Sequence, residues 1–464
     1  MGAESDTSGA TDKTVAVFGG GLAGLSAARR LLQHGIGVVL IEKRPFLGGR
    51  AFSFLDRESG VEVDNGQHVF LGCNSYFLDY LNEIEALDRA YLQDRLNIRV
   101  VRDGVSGALF SVSWLGRLHL FPSFVAYPHL TWREKAQVAY GLLRVKLIRR
   151  EKHTAVLESI TGYEWLRRHK QSERAIDNLW NLIVLPALND DVRHVSASMA
   201  LMVFQEVLLG SASAARIGFA RVGLTAFAGE PAQGYIQARG GKLVLGKAVS
   251  SLEMASDRIR GAELSDGTSI FADAYILALP HDVLLETLPP NLAQNGFFSA
   301  ASHLDDAPIV GIHLWYDRPV MDGDFMAFLG SPVQWVFNKS LIQRADGGPG
   351  QYVYISLSGA WEHVDRSKEE LRATFVEEMG RLFPAAAKAT LVRSLVVKER
   401  RATFRSKPGA LANRLPQATP VPNLFLAGDW TDTGWPATME GAVRSGVFAG
   451  DLAANSLSRP KASG

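Results

Sequence analysis

The chain has 464 residues, 47% of them hydrophobic, with 49 Lys plus Arg against 48 Asp plus Glu. That is enough apolar material for a large core and two domains, and the balanced charge leaves no global field to attract nucleic acid. Cys73 is the only cysteine, which excludes an internal disulfide, a CxxC redox pair and a cysteine-based metal site. Any redox chemistry must then come from a cofactor, in surroundings expected to be reducing and cytoplasmic.

Residues 1–13 are small and polar and lack an apolar core, so they read as a disordered leader rather than a secretory signal, and 457–464 as a flexible tail. No apolar run reaches the roughly 18 residues of a membrane span. Thr14 to Phe18 (TVAVF) is a β-branched run that ends in GGGLAG and continues as LSAARRLLQHG, a helical pattern stopped by Gly35. Within this strand, turn and helix, Gly19, Gly21 and Gly24 form GxGxxG. The first turns the chain, the second lets backbone approach a pyrophosphate, and the third packs helix on strand. Leu22 and Ala23 sit in the same turn, where the helix start adds unpaired N–H groups and about half a positive charge.

A second buried strand, VVLIE, ends in Glu42, 18 residues after Gly24, near the spacing at which a carboxylate accepts hydrogen bonds from an adenosine ribose. A 2′-phosphate about 4 Å from it would be repelled by roughly 4 kcal/mol at an effective dielectric of about 20, which disfavours NADP. Lys43 softens that repulsion without reversing it. RPFLGGRAFSF then supplies Gly48, Gly49 and Arg50, more bare backbone and a guanidinium for a dinucleotide.

Residues 86–234 read as mostly helical after a β-like patch at 97–120. From Trp132 to Lys152 seven basic and two acidic residues interleave with Leu142, Leu143, Val145, Leu147 and Ile148. That is the pattern of a helix lying in a bilayer interface, with a solvated helix face as the alternative. Further on, QARGG precedes a β-meander beginning near Val249, with a turn at 265–267. Residues 291–395 open with strand-like VGIHLWY and include a helical pattern near 367–383. The chain has no HExxH, no nucleophile elbow and no histidine pair at metal spacing, so no metal is expected. Near the end, VPNLFLAGDW is a short strand closing in Gly428 and Asp429. Thr438 is a candidate N-cap for a helix from Met439 to about Ala454 that is rich in small residues.

GxGxxG, the acid closing the second strand and GGR, in that order, resemble the flavin-dependent amine oxidase and phytoene desaturase superfamily. The resemblance implies FAD and an α/β fold, in which 14–85, 235–290 and 396–456 form a Rossmann-like domain of the glutathione-reductase type. A mixed α+β substrate domain, 86–234 and 291–395, is inserted in it. The resemblance also implies that Asp429 bonds the ribityl chain, that the backbone at Val249 passes the adenine, and that the helix start at Met439, Glu440 and Ala442 meets the flavin edge. Thr438 stands where amine oxidases commonly carry an aromatic cage residue, and ATMEGAVRSG looks like the plant-type carotenoid desaturases.

Two stretches, EVDNGQHVFLGC (Glu62–Cys73) and LPALNDDVRHVSASMALMVFQEVLLGS (Leu185–Ser211), resemble one bacterial branch, the hydroxysqualene dehydroxylases. This branch implies reduction of hydroxysqualene to squalene on the hopanoid route, with hydride from reduced FAD, a long apolar isoprenoid substrate and an external electron donor. In DNGQH, His68 is then the expected acid or orienter, Asp64 the second candidate, and Gln67 a neighbour of the flavin. A desaturase or amine oxidase on the same scaffold, and a prenyl-lipid escort protein without flavin, stay open.

Overall fold

Three separate stretches of chain supply one parallel sheet. The computed structural model describes residues 13–57, 60–343 and 350–458, so nearly all of the expected leader and tail lie outside the described residues. Across the sheet the strands are Lys242–Leu245, Gly37–Glu42, Thr14–Phe18, Ala274–Leu277 and Leu424–Leu426, every neighbouring pair parallel. Strands covered on both faces have no polar alternation, which is why TVAVF and AYIL are continuous apolar runs. Helices Leu22–Gln33 and Met439–Ser458 cover one face. The antiparallel meander Val249–Ala255, Arg258–Leu264 and Ser269–Ile270 covers the other, through Leu252, Ile259 and Leu264 against Phe18 and Leu277.

The small residues of the last helix have a packing reason. A Cβ on Gly446 would lie 2.1 Å from the Ala23 carbonyl oxygen, and one on Gly450 3.0 Å from the Arg30 Cβ. The Ser26 hydroxyl donates to the Val443 carbonyl at 3.0 Å. Contact with the first helix therefore requires these two glycines.

A second, seven-stranded sheet runs in the order Leu391–Phe404, Asp306–Tyr316, Gln351–Ser358, Trp335–Asn338, Phe325–Phe328, Asn97–Arg102 and Val105–Phe110. Its pairs are antiparallel except Phe325–Phe328 with Asn97–Arg102. Side chains alternate between its faces. Val310, Ile312, Leu314, Val353 and Ile355 pack on helix Lys368–Leu382, whereas His313, Trp315, Tyr352 and Tyr354 occupy the opposite face. A helical block with Trp180 and Phe204 at its centre completes this half.

The structure differs from the expected boundaries in three places. Residues 396–404 continue the outer strand of the seven-stranded sheet, because nothing in LVRSLVVKERRATF interrupts it before the SKPG turn. Leu224, Phe227 and Ala232 pack around the first helix, beside Ile236, rather than in the inserted half, since their apolar side is what covers it. Of the β-like patch at 97–120 only Asn97–Arg102 and Val105–Phe110 are strands. Residues beyond 112 form short helical turns, and Pro122 opens Phe121–Ala126, a position where its missing N–H costs nothing.

Gly446→Ala should cost about 1–3 kcal/mol of stability, because the added methyl meets backbone that must move. Denaturant unfolding followed by tryptophan fluorescence measures this, and a wild-type midpoint would show that the two helices are not in such close contact.

Candidate functional site

The front turn depends on bare glycine backbone. Gly19 has φ +109°, and a Cβ there would lie 2.3 Å from the Ala278 carbonyl oxygen; one on Gly24 would collide with the Gly19 carbonyl. The second glycine pair stacks on this turn: Gly48 N–H donates to the Gly20 carbonyl at 2.8 Å, and a Cβ on Gly49 would come 2.7 Å from the Gly21 Cα. The first amide to bond back into the helix is that of Leu25, to the Gly21 carbonyl at 2.9 Å. The amides of Leu22 and Ala23 precede it and have no intrahelical partner.

Glu42 is buried, and its carboxylate accepts from Gly20 N–H at 2.6 Å and Arg44 N–H at 2.9 Å. It thereby holds the turn as well as ending the strand. Lys43 is exposed. The amides of Gly246 and Lys247 donate to the carbonyls of Arg44 and Glu42, at 3.0 and 3.1 Å, which brings the Val249 segment alongside Glu42.

The two chain ends meet at an ion pair between Arg50 and Asp429; the acid is buried and the guanidinium half-exposed. Gly428, at φ +150°, turns the chain under the Trp430 indole, and its amide donates to the Ser445 hydroxyl at 2.8 Å. Buried Arg414 donates to the carbonyls of Asp429, Trp430 and Thr431, and burial lowers its pKa to about 10. Gln417 donates to the Thr431 hydroxyl and the Asp432 carbonyl, both at 2.9 Å. Sequence reasoning missed Arg414, Gln417 and Ser445. The only signal for the first two was their place just before the last strand.

Thr438 caps the last helix by accepting from Gly441 N–H at 3.1 Å. The amides of Met439 and Glu440 lie in its first turn, where intrahelical partners are lacking. Ala442 is different: its amide already donates to the Thr438 carbonyl at 3.0 Å, so it offers a ligand only its methyl group. The Glu440 carboxylate points away, accepting from Tyr76 and Phe77 N–H at 3.3 and 2.8 Å and from Arg444 at 2.7 Å. It caps helix Ser75–Glu83 from another part of the chain.

The DNGQH loop joins the two halves. Asp64 accepts from Lys339 at 2.7 Å, Gln343 at 2.9 Å, the Ser53 hydroxyl at 2.8 Å and Leu224 N–H at 3.0 Å. Burial alone would raise its pKa, but the Lys339 charge and these hydrogen bonds outweigh it and hold the carboxyl below its ordinary value. Asp64 is thus an anion at neutral pH, which corrects its expected standby role as proton donor. Gln67 accepts from Lys339 at 3.1 Å. Among the described residues, the half-buried His68 ring has only a long contact, 3.4 Å, to the Gly66 carbonyl. Burial lowers its pKa by more than that carbonyl and Asp64 raise it, so the imidazole is neutral at pH 7.

The flavin containing amine oxidoreductase family matches residues 22–452. The chain belongs to this family. It is 30% identical to the hydroxysqualene dehydroxylase of Rhodopseudomonas palustris, over 95% of this chain and 98% of that protein. It is 29% identical to the 15-cis-phytoene desaturase of Synechococcus elongatus, over 93% and 94%. An oxidoreductase structure from Methanosarcina mazei shares the fold at a TM-score of 0.72 and 18% identity, covering 93% of this chain and 98% of the other. Membership makes the protein an oxidoreductase with FAD as cofactor. The facing bare backbones of Gly21 and Gly49, two helix starts and the Arg50–Asp429 pair fit that dinucleotide.

Asp64→Asn should cost about 3–5 kcal/mol, since it leaves Lys339 buried without its counter-charge. The carboxyl titrates lower in the folded than in the unfolded chain. Its contribution is therefore complete above about pH 4 and lost as pH falls through the folded value. The gap in unfolding free energy between variant and wild type should therefore narrow as the pH is lowered through the folded value; a gap that stays constant over the whole acid titration would refute the assignment.

Proposed function

We propose that this flavoenzyme removes the hydroxyl group of hydroxysqualene and yields squalene. The observation that carries the reading is the end-to-end likeness to a hydroxysqualene dehydroxylase, supported by a capping threonine at position 438. Leu22, Ala23 and Arg50 would hold the pyrophosphate, Glu42 the adenosine ribose, backbone near Val249 the adenine, Asp429 the ribityl chain, and the amides of Met439 and Glu440 the anionic flavin edge. Bound in its reduced form, the flavin supplies hydride. The neutral His68 imidazole orients the substrate hydroxyl through a hydrogen bond. The reaction requires that water be kept from the allylic cation, which water would recapture.

A second reading, desaturation with hydride running from substrate to oxidised flavin, is favoured by the comparable likeness to phytoene desaturase. Anaerobic mixing of the reduced holoenzyme with hydroxysqualene separates the two. Flavin reoxidation with stoichiometric squalene is expected. Reduction of the oxidised holoenzyme by phytoene, with no reaction of the alcohol, would replace the first reading by the second.

Membrane contact, on the cytoplasmic face, belongs to the same proposal because a C30 hydrocarbon partitions into bilayers. Among the described residues no helix is long and apolar enough to cross one. Helix Trp132–Leu147 nevertheless turns an apolar stripe outward: Trp132 is 71% exposed, Tyr140 41%, Leu143 50% and Leu147 63%. Exposed Arg133, Arg144 and Lys146 edge the stripe. Lys135, part of the basic sequence pattern, is buried and donates to the Val125 carbonyl, which ties the helix to a segment with exposed Trp114, Leu118 and Phe121. An apolar stripe edged by cations suits a bilayer interface with anionic lipids. Replacing Trp132 by Ala and Leu143 and Leu147 by Ser should weaken cosedimentation with phosphatidylglycerol liposomes by about tenfold or more; undiminished binding would remove the membrane from the proposal.

A further inference from the structure

The DNGQH loop is tied directly to the cofactor frame. Asn65 Nδ2 donates to the Arg50 carbonyl at 2.7 Å, and Arg50 is the residue that pairs with Asp429. Two residues further on, Gln67 is half-buried, and its Oε1 accepts from Lys339 Nζ at 3.1 Å. Lys339 comes from the other half of the molecule. It opens the short helix Lys339–Ile342 after strand Trp335–Asn338 of the seven-stranded sheet, is buried, and is bonded at 2.7 Å to Asp64.

An ammonium group has donors only. Gln67 must therefore turn its oxygen towards Lys339, because the flipped amide would set an NH2 group against a buried cation. Nε2 is left with its two N–H donors. Among the described residues its one contact is the His68 carbonyl at 3.4 Å, too long for more than a weak bond. The next side chain is fixed in the complementary sense. The Gly66 carbonyl, 3.4 Å from His68 Nδ1, can only accept, so the single proton of the neutral ring lies on Nδ1 and Nε2 is a bare acceptor. Consecutive residues thus offer one donor and one acceptor, and a hydroxyl group satisfies both through a single oxygen.

We propose that Gln67 and His68 form a two-point recognition site for the substrate hydroxyl: Gln67 Nε2 donates to its oxygen, His68 Nε2 accepts its O–H, and Lys339 is the positioning residue that fixes the amide. This rests on the alcohol-reduction reading above and adds to it the source of selectivity, since a hydrocarbon without the hydroxyl leaves both groups unpaired. The amide and the imidazole stand on the cofactor frame, whereas the cation that orients the amide belongs to the inserted half. The recognition site is therefore complete only when the two halves are docked.

Binding to the oxidised holoenzyme, which has no hydride to give, separates recognition from chemistry. Hydroxysqualene and squalene are titrated in detergent solution and followed by the flavin spectrum. The wild-type protein should bind the alcohol more tightly than the hydrocarbon. Gln67→Met, which keeps the length of the side chain without its N–H groups, should weaken alcohol binding by about three- to tenfold and leave squalene binding unchanged. Gln67→Glu keeps an acceptor for Lys339 but has no N–H, so it should lose the same preference while unfolding at no lower denaturant concentration than the wild type. Equal weakening of both ligands marks a structural role and overturns the assignment, as does an undiminished preference for the alcohol in either variant. Turnover of hydroxysqualene by the reduced wild-type holoenzyme, measured alongside, tests the reaction reading by itself. Turnover together with an undiminished preference in Gln67→Met removes the recognition site alone; no turnover removes the reaction reading and the recognition site together.

Discussion

The site depends on the last helix lying directly against the first. Bare backbone at Gly446 and Gly450 permits that approach, and the approach sets the register of everything attached to either helix. The glycine turn before Leu22, the Gly428–Asp429 loop and the capped start at Thr438 become neighbours because their helices are. Arg50 then crosses from the front segment to Asp429 and closes the contact. Holding together ends some four hundred residues apart costs little more than holding ends half as distant, because loop-closure entropy grows only with the logarithm of length. The fold can therefore accommodate its insertions.

A second junction ties the inserted half to this frame. Asp64 and Lys339 are both buried, and so costly a pair persists only because further hydrogen bonds from Ser53, Leu224 and Gln343 complete it. The neighbouring face of the seven-stranded sheet is aromatic and polar, unlike the aliphatic face under helix Lys368–Leu382. His313 and Tyr352 hydrogen-bond there at 2.6 Å, burial pushes that imidazole down to about 3, and Gly311 leaves room for the Tyr354 ring. The DNGQH loop lies over this face: a Cβ on Gly66 would be 3.5 Å from the Tyr354 hydroxyl. Cofactor frame and inserted half thus meet at a surface that holds ionisable groups in defined protonation states.

Much of the cofactor side was legible because its chemistry is local. A glycine needed for positive φ, an acid at the end of a buried strand and a threonine before a helix act through backbone within a few residues of themselves. Side-chain destinations were less legible. Glu440 has the same composition and spacing whether it faces a flavin or caps Ser75–Glu83, and only the position of the second helix decides between them. Arg414 is an ordinary basic residue in sequence and becomes a buried clamp because the GDW loop folds over it. Lys135 looked like part of a cationic face, but Trp132, Tyr140, Leu143 and Leu147 of its helix point outward and it points inward.

What the sequence determined by itself was the strand, glycine turn and helix at the front and the strand, acid and capped helix at the back, since continuous apolar strands, bare glycines and short-range caps permit few other local conformations; that the two ends share one site was implied by the family resemblance. What only the tertiary structure decided was the charge state and availability of each polar group: Asp64 a bonded anion, His68 neutral, Ala442 without a free amide. Burial and long-range partners set those properties, and both arise from residues hundreds of positions apart that no local pattern relates.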